Sequence, residues 1–516
     1  MKAMKLRIFI LITLGLLFMV SCEDYLTEKT YNQMTPELLY TSADYAQLAV
    51  NGCYMATFHD RLGYQMYWPA TWGPICQEFS AYNQNASYDY KWNSANTQVY
   101  WVWRNFFNAI DACNSCIAGV TGMDSELISE DKRNEFLAQA RFLRAHNYFL
   151  LLKFWGGVPI HSEPTENPEV AFKPRSSAQD VFDFIEADLK FAQQHLPVNW
   201  AGGFPDVGRA TMGSATATLA QLYCIASGEQ FKGNDAVGGE ANFNNLGTYW
   251  NEARAELASL INENDPSQAK SPYMYSLEPD LEYLYYGGKQ DGAIWSNERE
   301  AHNWGQEIIW GTTYDPEVVA GTWNFNHWQA RYISPYLLEK FHQGAYRAVI
   351  KHDSTQRPAE GWIVCRHIKR NRTGNNNENQ FYFSRYGGIL LLMAYVENEV
   401  NGGPTALAEA CLNAVRARAR AGDGVTTYTE PADVASGLSH DEFKEEVMDE
   451  RFVELFHEEK FMFDAWMSGF MERDWADIAS GADGNRGPYD KKWKQFPIPE
   501  REIITSGSAL QQNPGH

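Results

Sequence analysis

The sequence predicts a mainly α-helical protein whose long irregular loops carry short strands. Apolar residues recur at three- and four-residue steps through most of the chain, the period of helices with one buried face. Gly, Pro and small polar residues punctuate those stretches where helices should stop and start. Between them lie two long segments, around 65–96 and 273–372, in which the period vanishes and Trp, Tyr, Asn and Gly dominate. Loops of that length in a compact fold commonly carry function.

Taken in order, the chain opens on Lys2, Lys5 and Arg7, then an uncharged apolar run from Ile8 to Val20, then Ser21-Cys22. This is the pattern of a signal peptide. Met19-Val20-Ser21 before Cys22 is similar to the lipobox cut by bacterial lipoprotein signal peptidase. Residues 1–21 are therefore expected to be removed and Cys22 to carry acyl groups, more than one of which makes a stable anchor. Residues 22–35, opening on Glu23 and Asp24, read as a solvated tether. That acidic pair resembles the signals that send lipoproteins of some Gram-negative bacteria to the outer cell face, so the expected location is the outer membrane, lipid-anchored and facing outward. No later stretch approaches the roughly 20 apolar residues of a spanning helix. Residues 36–516 are expected to form one domain with 273–372 as its loop-rich insert.

Helices are expected at about 42–58, 99–119, 135–155, 178–196, 212–227, 251–262, 388–400 and 405–421. In the third, Phe136, Ala140, Leu143, Asn147, Leu150 and Phe154 form one stripe, and Gly156-Gly157 followed by Val158-Pro159 ends it. In the second, Trp101, Trp103, Phe106, Phe107 and Ile110 are assigned to the core by their spacing. A last helix begins at Ser439 with Glu442 three residues on, a capping box, and is expected to run to about Met467.

Composition excludes several classes. Lys and Arg total 43 against 65 Asp and Glu, a formal charge of -22, which repels a phosphate backbone. Nucleic acid is not an expected partner. With 44% apolar residues the chain is neither disordered nor fibrous. Of 8 cysteines, lipidation of Cys22 leaves Cys53, Cys76, Cys113, Cys116, Cys224, Cys365 and Cys411. Cys113 and Cys116 have C-x-x-C spacing, but no second pair follows at zinc-ribbon distance, so they are read as small helix residues and no metal or cofactor is expected.

Several segments resemble the SusD/RagB family of outer-membrane nutrient-binding lipoproteins. Ala140-Arg141-Phe142-Leu143-Arg144-Ala145 with Tyr148 and Phe154-Trp155-Gly156-Gly157-Val158-Pro159 is similar to that family's helix and its exit. Gly208-Arg209-Ala210-Thr211 resembles the opening of its next helix, and Arg385-Tyr386 with Glu397 and Glu399 a later one. Glu450-Arg451, Glu454-Leu455, Glu458 and Phe463-Asp464 match its C-terminal signature, and Phe496-Pro497-Ile498-Pro499 with Asn513-Pro514-Gly515 its ending. Glu459, Phe461 and Ser468 depart from the pattern, as in a divergent member. The resemblance implies four tetratricopeptide-like helix pairs in a right-handed scaffold. It also implies partnership with a TonB-dependent outer-membrane transporter and a glycan or peptide ligand.

Two aromatic clusters are candidates for that ligand. Tyr88, Tyr90 and Trp92 alternate on one side of an extended segment, with Asn93 and Asn96 close behind. A sugar presents C–H groups on its flat face and hydroxyls at its edge, so a binder needs an aromatic platform rimmed by amides. Trp304, Trp323 and Trp328, with Arg331, stand among polar neighbours and form the second wall, whereas Trp310 after Glu307-Ile308-Ile309 resembles a core strand of that family and is assigned to packing. Arg366 to Arg372 is a short basic run, read as a solvated hairpin, with an acidic sugar or transporter contact as the alternative.

Catalytic signatures are missing from the sequence. His457-Glu458 has Phe461 where a zinc protease needs its second His, Asn234 stands where a phosphate loop needs Lys, and no G-x-S-x-G occurs. Glu454 and Glu458 lie one helical turn apart and pose the remaining question of a glycosidase pair. The reading is a cell-surface glycan-binding lipoprotein that passes oligosaccharide to its transporter and breaks no bond. A binder of peptides or other nutrients on the same fold and a surface glycoside hydrolase are the alternatives.

Overall fold

The computed structural model describes residues 36–58, 76–79, 92–165, 172–200, 208–233, 243–279, 306–312, 330–333, 335–341, 352–353, 363–365, 381–422, 428–456, 458, 460–480 and 488–516. Residues 1–35, which include the expected signal peptide, Cys22 and the expected tether, lie outside them.

Small polar residues set where the helices begin. α1 (Ala43–Thr57) starts at Ser42, whose hydroxyl accepts the Tyr45 N–H at 3.2 Å. α2 (Thr97–Gly122) starts at Asn96, whose Oδ1 accepts the Gln98 N–H at 2.9 Å. α3 (Glu130–Trp155) starts five residues before the expected point, because Ser129 caps it and Glu130 and Asp131 in its first turn suit the helix dipole. α4 (Ala178–His195) and α5 (Met212–Ser227) open with capping boxes, Ser177 with Asp180 and Thr211 with Ser214. α6 (Trp250–Leu260), α7 (Tyr386–Asn401) and α8 (Ala406–Ala421, capped by Thr405) follow.

These helices pack in chain order. α1 lies on α2, α3 on α4, α5 on α6 and α7 on α8, and each pair also touches the next. That is a stack of helix pairs. α3 forms its spine: from Phe136 to Trp155 every residue but Arg141 is buried, so this helix is covered all round instead of along one stripe. Arg144, off the apolar stripe, is inside as well, held by Asp188 at 2.7 and 2.9 Å and by Asn114 at 2.7 Å. At its exit Gly156 has φ +73°, and a Cβ there would stand 2.4 Å from Asn244 Oδ1, so side chains are excluded at the turn. Cys113 and Cys116 are free and buried in the helical core, small helix residues as expected, and Cys53, Cys224 and Cys411 are free and buried too.

The last long helix is interrupted. α9 (His440–Glu454) has the expected Ser439–Glu442 capping box, but it stops at Glu454, and α10 (Phe461–Ser468) starts afresh. The expected continuous helix to Met467 would return the Glu454 carbonyl to the N–H of residue 458. Arg385 takes that carbonyl instead, at 2.7 Å, while its Nε donates to the Glu458 carboxylate at 2.8 Å. Arg385 also pairs with Glu307, and Arg418 joins Glu307 at 2.9 Å to Glu454 at 2.5 Å. Arg451 grips Asp464 through two bonds of 2.9 and 3.1 Å. The residues of the C-terminal signature are thus a buried ionic network that pins the break.

Short strands occur within the two expected loop segments, and one more, Phe381–Arg385, lies just beyond the second. They are β1 (Cys76–Phe79), β2 (Ile308–Thr312), β3 (Ala330–Ile333), β4 (His352–Asp353), β5 (Ile363–Cys365) and β6 (Phe381–Arg385). One antiparallel sheet has the order β1-β3-β5-β4, and β2 pairs with β6, which leads straight into α7. Trp310 on β2 is 1% exposed, in the core as its strand position implies. No helix among the described residues is long and apolar enough to cross a membrane.

Candidate functional site

The approach to α2 is tied to the C-terminal segment. Trp92 is 5% exposed, its ring centroid 4.3 Å from that of Phe496. Phe496 in turn lies 4.8 Å from Phe154, whose carbonyl takes the Phe496 N–H at 2.6 Å. The Trp155 indole N–H donates to the Pro497 carbonyl at 3.0 Å. Beyond Trp92 the chain turns on exposed Asn93, whose Oδ1 accepts the Ala95 N–H at 3.0 Å. The Ser94 carbonyl accepts the Glu500 N–H at 2.8 Å, which joins this turn to α11 (Glu500–Thr505).

A surface groove of about 390 Å³ lies between the first turns of α2 and α11. Tyr100 and Trp101 are its rings, half-buried, with centroids 5.8 Å apart and planes tilted by 55°. Ser94, Asn96 and Thr97 place hydroxyl and amide groups at one margin, and Glu500, Arg501, Ile504 and Thr505 form the other. Ile504 is 70% exposed. The Arg501 guanidinium stands over the Tyr100 ring at 4.9 Å, and the Arg104 guanidinium over Trp101 at 5.1 Å. Burial raises the Glu502 carboxyl above its usual range, while Arg501 and Arg104 act in the opposite sense. Aromatic surface edged by short polar groups suits a ligand with an apolar face and a hydroxylated edge.

Helix geometry explains why these rings are available. The buried stripe of α2 runs through Val99, Val102, Trp103, Phe106 and Ile110, as its spacing predicts. Trp101 and Phe107, assigned to the same core, are only half-buried. Trp101 falls between stripe positions, and its neighbours one turn away are Thr97 and Arg104. That polar flank was the sequence signal for a groove-lining ring. Arg501 and Ile504 carried no such signal.

Of the residues singled out from sequence, Trp92 is corrected. Its ring is packed on Phe496 within the core, because the segment must dock on the C-terminal strand-like run before α2 can begin. Asn93 lies beside the groove turn. Arg331 falls on β3 opposite Glu78 of β1 in the sheet register. Tyr88, Tyr90, Trp304, Trp323, Trp328 and the basic run 366–372 lie outside the described residues. Glu454 and Glu458, the carboxylates one turn apart, are held in the interior by Arg385 and Arg418.

Family models match both ends of the chain. The model described as the SusD family covers residues 322–516, and one described as starch-binding and associating with the outer membrane covers residues 24–224. A SusD-like protein of Formosa agariphila, P2, is 23% identical along 100% of both chains. A SusD-like protein of Bacteroides ovatus is 25% identical over 44% of this chain, which spans only 40% of that relative. Among solved structures, a SusD homologue from Bacteroides thetaiotaomicron superposes with a TM-score of 0.71 at 19% identity, covering 92% of this chain and 97% of its own. A laminarin-binding SusD-like protein superposes at 0.67 and 19% identity, covering 92% and 100%. With its stacked helix pairs, its Gly-Gly exit and its C-terminal ionic signature in order along the sequence, the chain belongs to the SusD/RagB family.

Proposed function

We propose that this protein is a cell-surface glycan-binding lipoprotein, anchored through Cys22, that captures oligosaccharides and delivers them to a TonB-dependent outer-membrane transporter without breaking a bond. The observation that carries this reading is the groove in which Tyr100 and Trp101 stand side by side above the Ser94, Asn96 and Thr97 margin. Ring faces hold the apolar side of a sugar, and the margin bonds its hydroxyls. Tyr88, Tyr90, Asn93, Trp304, Trp323, Trp328 and Arg331 are proposed as further contacts along a longer chain of sugars. The reading is supported by the laminarin-binding relative of the same fold and by the family description that couples starch binding to the outer membrane.

The test is affinity electrophoresis of the detergent-solubilised full-length protein through gels containing polysaccharides. Retardation by at least one polysaccharide, lost in the Tyr100→Ala/Trp101→Ala double variant with its melting temperature kept, is the expected result. Retardation that the double variant retains in full rules the groove out. Selective retention of peptides, with no polysaccharide effect, favours the peptide-binding alternative.

A further inference from the structure

Two groups of described arginines contrast with each other. Arg144, Arg385, Arg416, Arg418 and Arg451 are buried, and each is fixed on a carboxylate. Arg104 and Arg501 are exposed, take part in no ion pair among the described residues, and stand over the two groove rings at 5.1 and 4.9 Å. In a chain with a formal charge of -22, two such cations placed together at one groove call for a reason.

A guanidinium over an aromatic face is steadied by the ring and keeps its N–H edge for another partner. That edge fits two oxygens of a carboxylate or sulfate through parallel, charge-assisted hydrogen bonds. A neutral sugar brings no charge to these guanidiniums, whereas an acidic one adds to what Glu502 supplies. The other charged groups here are Glu500, on the groove margin, and Glu502, partly buried two residues along the same helix. Glu500 accepts sugar hydroxyls and repels an acid, so an anionic substituent belongs at the Arg501 and Arg104 end.

On the premise that the groove binds glycan, we propose that it takes acidic glycans, whose carboxylate or sulfate groups are held by Arg501 and Arg104 while their rings lie along Tyr100 and Trp101. Calorimetry on the full-length protein with an oligogalacturonate, a sulfated galactan oligosaccharide and a neutral glucan oligosaccharide tests it. One acidic probe should bind at least about tenfold more tightly than the neutral one, and which one it is separates the carboxylate source from the sulfate source. That affinity should fall about tenfold in Arg104→Gln/Arg501→Gln, be partly kept in Arg501→Lys, and weaken between about 20 and 200 mM salt. Both arginines are exposed, so the folded state should tolerate these changes. Neutral oligosaccharide binding as tightly as the acids, unmoved by salt or by the glutamine variant, overturns the acidic preference while the glycan reading stands. No saccharide of any charge binding overturns both.

Discussion

The Trp92 indole lies on the Phe496 ring with centroids 4.3 Å apart, so the loop that precedes α2 is clamped to the C-terminal segment 404 residues later in sequence. Through the adjoining bond from the Glu500 N–H to the Ser94 carbonyl, this contact fixes both margins of the groove against each other.

Trp92→Ala should therefore cost both stability and ligand affinity. Emptying a core site of a large aromatic side chain costs about 3–5 kcal/mol. Urea unfolding should show a loss in that range, and binding should weaken because the margins lose their register. An unchanged midpoint would mean that the ring is not buried in solution.

Groove rings should behave in the opposite way. Tyr100→Ala and Trp101→Ala remove half-buried side chains, so the melting temperature should move little. Glycan affinity should drop about tenfold for each, as expected when stacking and buried area are lost together. Calorimetry beside a thermal melt separates the two effects.

The contrast between Trp92 and Trp101 shows what could be read from sequence. Helix existence and most boundaries were legible because caps such as Ser42, Thr211 and Ser439 sit beside clean apolar periods. The side on which a ring points was not, because an aromatic-rich loop has no period to consult. Trp92 followed a two-residue alternation yet docks inward, since its partner Phe496 is remote in sequence. Trp101 sits inside a helix whose apolar average hides its off-stripe position. The break after α9 was likewise invisible, since it depends on Arg385 arriving from another strand.

Arg385→Met tests that break. Arg385 is 1% exposed and faces Glu307, Glu454 and Glu458. Removing it strands buried carboxylates, at a cost of about 3–5 kcal/mol. Chemical unfolding should show the loss, and a variant as stable as the parent would contradict the network.

His146 should make stability depend on pH. Burial, and then the charges of Lys153 and Lys460, depress its pKa to about 3 from the ordinary 6.5. The unfolded chain then binds the proton more readily, so stability from this group is complete above about pH 6.5 and is lost as pH falls towards about 3. One such group gives a slope of about 1.4 kcal/mol per pH unit in that window. His146→Leu should flatten the profile by that amount between pH 6.5 and 4, measured by urea titration at each pH. An identical slope in the variant would place the titration elsewhere.

The most direct test of the groove is a crystal structure of the protein with an oligosaccharide that binds in solution. The account predicts sugar density against Tyr100 and Trp101, with hydroxyls at Asn96 and Thr97. Sugar bound at a distant surface, with both rings bare, would contradict it.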